Sequence, residues 1–248
     1  LMNQPGSLWG KGDSTGSIGV VTINLNRLAY LAKVKSQRAK GPHREWPKDS
    51  PGVKELASEE FFKLLAHYMD LAKESLEIKR ELVTKNLKNG LMPYAKAYLG
   101  TFRNYFSTIG VCGGNEACLN LLAKDITSAE GQQFIIETLE FMRARLVKYQ
   151  TETGHLYNLE ATPAESTAYR FALLDRKYHP KIKTAGTSEA PYLTNSTQLP
   201  VDKTSDVIEA LWHQQPIQSL YSGGTVFHTF LGEQIDDWQV CRQLVKKI

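Results

Sequence analysis

Three features of this 248-residue chain predict an α/β fold. Its residues are 42% hydrophobic, enough to bury one large core in a single domain. Short β-branched runs alternate with longer stretches of helical period, the order expected of parallel strands joined by crossover helices. The densest cluster of prolines and glycines, GPHREWPKDSPG at 41–52, reads as a loop and not as a domain boundary.

The elements follow in order. GVVTINL (19–25) is a strand, and RLAYLAKVKSQRAK after it carries apolar residues at helical spacing. Beyond the 41–52 loop, the longest helix runs from a serine cap at Ser58 through acidic residues to a stop at Asn89-Gly90. Residues 91–112 are aromatic-rich and broken by Pro93 and Gly100, so a packed loop is expected there. NEACLNLLAKDI and QQFIIETLEFMRARLVKYQTETG are helices, the second ending at Gly154 with basic residues in its last turns. HLYNLEAT (155–162) is a strand, and PAESTAYRFALLDRKYH a helix with Pro163 in its opening turn. YLTNSTQLPV (192–201) before KTSDVIEALWHQQ, and SGGTVFHTFL (222–231) before GEQIDDWQVCRQLVKKI, repeat the strand-then-helix order.

Charge and composition exclude several classes. Thirty Lys and Arg against 26 Asp and Glu leave a net charge of +4, too small and scattered to mark a nucleic-acid surface. It is compatible with a site for a phosphorylated small molecule. No run of 18 apolar residues and no charged-then-apolar leader is present, so the chain reads as cytoplasmic. Cys112, Cys118 and Cys241 form no CxxC pair and are expected as reduced thiols. The six histidines are scattered, with no HExxH or His/Cys cluster, so no metal site is expected.

Active sites of parallel α/β folds assemble at the C-terminal ends of the strands. That rule selects Asn24, residues 160–165, residues 195–198 and the segment after Val226. Asn195, Ser196, Thr197 and Gln198 crowd short donors into a small space, which suits phosphate oxygens; an ordinary polar turn reads the same way. Gly223, Gly224 and Thr225 leave backbone bare for a ligand, or make a tight turn. Glu160 and Glu165 bracket a helix start whose amides suit an anion, although a first-turn carboxylate also serves as a dipole partner.

Cys118 falls at apolar helical spacing and is expected in the core, as is Cys241 on the amphipathic last helix. Cys112 stands among Gly110, Gly113 and Gly114, a setting that favours a presented thiol over a packed one. Glu116 falls near the start of the next helix and brings a carboxylate to the same place; Asn115 either joins it or caps that helix.

Five stretches, taken in order and spacing, resemble the anaerobic (class III) ribonucleoside-triphosphate reductases, a branch of the glycyl radical enzymes. They are GSIGVVTINLNRLAYLA (16–32), YFSTIGVCGGNEACLNLL (105–122), LYNLEATPAESTAYRFALLDRKYHP (156–180), YLTNSTQLPVD (192–202) and GGTVFHTFLGE (223–233). The resemblance implies that residues 1–248 are an internal portion of a ten-stranded α/β barrel, with a finger loop at about 91–115 crossing its interior. It implies that Cys112 is the thiyl radical abstracting the 3′ hydrogen of a ribonucleotide, and that Glu116 or Asn115 handles the 3′ hydroxyl proton. Asn195, Ser196, Thr197, Gln198, Gly223, Gly224 and Thr225 would hold the substrate phosphates.

The same resemblance implies no cofactor in this segment. A glycyl radical, generated by a radical SAM (4Fe–4S) activating enzyme, and a zinc site belong to a C-terminal domain, and an ATP-cone to an N-terminal one. All are expected to be absent from this chain. Implied partners are a ribonucleoside triphosphate substrate, dNTP and ATP effectors, the activating enzyme and a second copy in a full-length homodimer, with no membrane and no direct nucleic acid. The implied product supports DNA synthesis without oxygen. Two other readings stay open: a glycyl radical core acting on an acyl substrate, like pyruvate formate-lyase, and a nucleotide-binding fragment without chemistry of its own.

Overall fold

The computed structural model describes residues 15–39, 51–204, 206–228 and 234–247. Three parallel strands lie at its centre: β1 (Gly16–Asn24), β2 (Tyr105–Cys112) and β3 (Leu156–Glu160), ordered β1-β2-β3. Helices α1 (Leu25–Ala39), α2 (Pro51–Lys88) and α3 (Pro93–Tyr98) connect β1 to β2. Helices α4 (Gly114–Leu121) and α5 (Ala129–Thr153) connect β2 to β3. After β3 come α6 (Glu165–Tyr178), the two-residue antiparallel pair β4 (Ala185–Gly186) and β5 (Pro191–Tyr192), α7 (Val207–Gln218) and α8 (Trp238–Lys247).

Strand alternation assigns the faces of the sheet. Ile23, Ile109, Val111, Tyr157 and Leu159 point to one face, where they meet Leu28 of α1, Phe61, Leu65 and Met69 of α2, and Ile135, Leu139 and Met142 of α5. The buried residues of α2 recur every three or four positions, so one stripe of the helix faces the core. Each fully buried large side chain in this layer contributes about 2 kcal/mol. Helix α5 starts where the Ser128 side chain accepts from Gly131 N and ends at Gly154, φ 72°.

Several expectations are corrected. Residues 91–115 do not form one loop: they comprise α3, the central strand β2 and the start of α4. YFSTIGVC is buried on both faces from Ser107 onward, so it lacks the alternation that betrays a half-exposed strand. Helix α2 begins at Pro51, well before Ser58. Most of the loop expected at 41–52, and the end of the strand expected at 222–231, lie outside the described residues. Residues 222–228 are irregular, and of 192–201 only Tyr192 is in a strand, because the Asn-Ser-Thr and Gly-Gly segments favour turns. Among the described residues no helix is long and apolar enough to cross a membrane.

Candidate functional site

Asn24 and Cys112 stand side by side at the C-terminal ends of β1 and β2. Gly113 follows at φ 79° and caps α4. The N–H groups of Gly113 and Gly114 donate to the carbonyls of Thr194 and Ser196 at 3.0 and 2.9 Å, laying the 194–198 loop on the start of α4. A Cβ on Gly114 would stand 3.0 Å from Thr197 Cγ2 and 3.1 Å from Ser196 O. These glycines therefore serve the turn and the approach of a second loop, and they do not present the cysteine.

The loop itself is strained. Ser196 holds φ 47°, a left-handed conformation unusual for serine. Its hydroxyl and that of Thr197 bond the Tyr221 hydroxyl at 2.9 and 2.7 Å, and Gln198 Nε2 donates to Val226 O at 2.9 Å. The 194–198 loop is thereby joined to the 221–226 segment. No acceptor among the described residues takes the main-chain amides of Asn195 and Thr197, and Asn195 Oδ1 is buried without a partner. A cavity of about 340 Å³ adjoins the loop, lined by Thr194, Asn195 and Gln198, by Glu165 and Ala168 of α6, and by His228. Helix α6 starts without a side-chain cap, so its first amides also stand at this wall.

Glu116 is fully buried in the first turn of α4. Its Oε2 accepts from Thr194 N at 2.9 Å, and its Oε1 from Thr194 Oγ1 at 2.6 Å and Asn115 Nδ2 at 3.2 Å. Burial pushes its pKa above the ordinary carboxylate value, against the pull of those hydrogen bonds. Asn115 Oδ1 accepts from Ile126 N at 3.3 Å, tying α4 to the loop before α5 in place of capping the helix.

Cys112 is 0% exposed and packs with Ala168, Ala172 and Leu193. Its thiol is a weak donor toward Thr194 O, 3.9 Å away. Burial, and then the nearby Glu116, push the thiol up to about 12, so it is protonated at neutral pH. A sealed thiol at the end of the central strand thus replaces the expected loop-tip thiol. Cys118 is buried as expected, whereas Cys241 is exposed on α8, which buries none of its residues.

Gly223 and Gly224 run beside β3, with Gly223 N donating to Leu159 O at 2.7 Å and Ala161 N to Gly224 O at 3.0 Å. A Cβ on Gly223 would meet Asn158 Nδ2 at 2.9 Å, so close packing accounts for that glycine. Thr225 bonds Gln218 and lines a separate cleft with Trp212 of α7, apart from the cavity at Asn195.

One cluster escaped the sequence reading. Asp175 of α6, fully buried, accepts from Asn24 Nδ2 at 3.0 Å, Asn26 Nδ2 at 3.3 Å and Arg27 Nε at 2.6 Å. Asn26 Oδ1 accepts from Asn120 Nδ2 at 2.6 Å, and that same nitrogen reaches Glu116 O at 2.9 Å. The two asparagines of NLN at a strand-to-helix junction were the available signal, but nothing in their spacing points to residue 175.

A family model described as anaerobic ribonucleoside-triphosphate reductase matches residues 2–248. The chain is 25% identical over 234 residues to the anaerobic ribonucleoside-triphosphate reductase of Enterobacteria phage T4, covering 88% of this chain and 34% of that protein. The crystal structure of the anaerobic ribonucleotide reductase from Thermotoga maritima with MES in the active site matches with TM-score 0.70 at 25% identity, over 95% of this chain and 36% of that one. The same enzyme in complex with dATP and CTP matches with TM-score 0.71 at 23% identity, over 94% and 35%. The chain spans about a third of the length of these relatives.

Proposed function

The chain belongs to the anaerobic ribonucleoside-triphosphate reductase family, and on that premise we propose that it forms part of an enzyme reducing ribonucleoside triphosphates to 2′-deoxyribonucleoside triphosphates. Its share is to hold the substrate's phosphates at the 194–198 loop, within the α/β barrel that the resemblance implies. One observation carries this reading. Asn195, whose main-chain amide has no acceptor among the described residues, lines the same 340 Å³ cavity as Glu165 at the uncapped start of α6, and the equally unpaired amide of Thr197 follows two residues on, beyond a serine at φ 47°. Amides fixed around one small volume stabilise an anion without reorganising.

We assign Glu116 to holding the 194–198 loop in place, since its buried carboxylate accepts from Thr194 N and Thr194 Oγ1 and has no exposed surface. Cys112 we assign to packing, because hydrogen abstraction needs a sulfur open to the ribose and this one is sealed under α6 and Leu193. Among the described residues no three His, Cys, Asp or Glu side chains gather to hold a metal. The glycyl radical, the activating enzyme, the dNTP and ATP effectors and the homodimer enter the proposal on the resemblance alone.

Calorimetric titration of the chain tests the reading. A ribonucleoside triphosphate and inorganic tripolyphosphate should compete for one site, with the bare nucleoside bound at least about tenfold more weakly, a difference of about 1.4 kcal/mol. A nucleoside that binds as tightly as its triphosphate would overturn it.

A further inference from the structure

The sheet face turned away from helices α1, α2 and α5 is polar toward the C-terminal ends of the strands, beyond Val20, Phe106 and Leu156. Alternation puts Thr22 and Asn24 of β1, Thr108, Gly110 and Cys112 of β2, and Asn158 and Glu160 of β3 on it, and Thr162 continues the β3 row. Parallel sheets ordinarily cover both faces with apolar side chains. This one carries hydroxyl, amide and carboxyl groups around a central glycine.

Three side chains in that row lack partners. Asn158 is 1% exposed and Thr162 8%, yet Asn158 Oδ1 and Thr162 Oγ1 make no hydrogen bond. Glu160 lies between them in sequence and on the same face, and it has no hydrogen-bond or ion-pair partner among the described residues. Burial alone raises its pKa. The backbone of Gly224 borders the row: a Cβ there would sit 3.9 Å from Glu160 Cγ. Gly110 makes room for the Thr162 side chain, whose Oγ1 would stand 2.4 Å from a Cβ at that position.

The row is rich in acceptors and poor in cations. A carboxyl flanked by an amide oxygen and a hydroxyl accepts from a neutral polyol, whereas its own charge repels an anion. A hard cation would need more oxygen ligands than one carboxylate and two neutral groups provide. The row is tied to the loop at the cavity: the 221–226 segment that borders it is bonded to the 194–198 loop through Tyr221 and through Gln198 to Val226. We propose that Asn158, Glu160 and Thr162 form the site for the ribose hydroxyls of the bound nucleotide, with Glu160 accepting from them. This assignment rests on the 194–198 loop being the phosphate site.

The test is a titration of the 248-residue chain with each of the four ribonucleoside triphosphates, their 2′,3′-dideoxy counterparts and inorganic tripolyphosphate. Wild type should bind at least one ribonucleotide about tenfold tighter than its dideoxy counterpart, the size expected for a hydrogen bond to a charged acceptor. Glu160→Gln, close to isosteric, should reduce that preference to about twofold without weakening tripolyphosphate binding, which also reports that the variant is folded. Thr162→Val should give a smaller loss of the same preference. An undiminished preference in both variants would overturn the ribose site and leave the phosphate reading standing, as would equal ribo and dideoxy affinities in wild type. Absence of tripolyphosphate binding in wild type would overturn the phosphate reading, and this assignment with it.

Discussion

Burial acts in the same direction on two residues four positions apart, with different consequences. It keeps Cys112 as a protonated thiol with no exposed surface, and it raises the proton affinity of Glu116 within a set of hydrogen bonds that favour the carboxylate. Replacing Cys112 by Ala should cost about 1 kcal/mol in thermal stability, the scale of a small buried truncation, and leave nucleotide affinity unchanged. Lost nucleotide binding in that variant would return Cys112 to the site. For Glu116 the sign follows from linkage. Its folded pKa lies above the ordinary 4.5, so its stabilising contribution is full below that value and declines as pH rises through the folded pKa. Glu116→Gln cannot titrate, so its Tm relative to wild type should climb as pH rises from 4.5; a difference flat in pH would contradict this. Cys118 was legible because helical period is local. Cys112 was misread because its glycine neighbours serve Thr194 and Ser196, residues remote in sequence, and Asp175 was missed because its partners at 24–27 are equally remote.

The same locality decides which elements were legible. The strand-to-helix units at β1–α1 and β3–α6 carry their own signals, an apolar run and then a helical period, and the structure contains them. The strand β2 was hidden because a central parallel strand buries both faces and shows no period. The 194–198 segment was legible as a polar turn, but its conformation depends on docking against α4. That docking gives a sharp prediction at Gly114. A methyl group there would press on Thr197 Cγ2, Ser196 O and Thr197 Cα within 3.2 Å, and two of these atoms are backbone. Gly114→Ala should therefore destabilise by about 1–3 kcal/mol and weaken tripolyphosphate binding, because the loop must shift. Melting and titration of one preparation check both halves. A variant that loses stability but keeps full affinity would separate the loop from the site.

At the scale of the molecule, the helices build one apolar layer on a three-stranded parallel sheet, while α6 and the 194–198 and 221–226 loops gather at the C-terminal edge of that sheet. The opposite sheet face is polar toward the C-terminal ends of the strands. The chain spans about a third of its relatives' length, and the residues we propose for phosphate and ribose all lie within it. The α/β class was readable from strand-then-helix order, and the strand-end rule selected segments that the structure gathers at one edge of the sheet, whereas the polar row beside β3 emerged only from the strand register. On the proposed function the amides of the 194–198 loop receive the substrate's phosphates. Amide NMR of the chain titrated with a ribonucleoside triphosphate tests it most directly. Saturable shifts of the Asn195 and Thr197 amides are expected, reproduced by tripolyphosphate and absent with the nucleoside. Saturable shifts confined to other segments, with Asn195 and Thr197 unmoved, would contradict it.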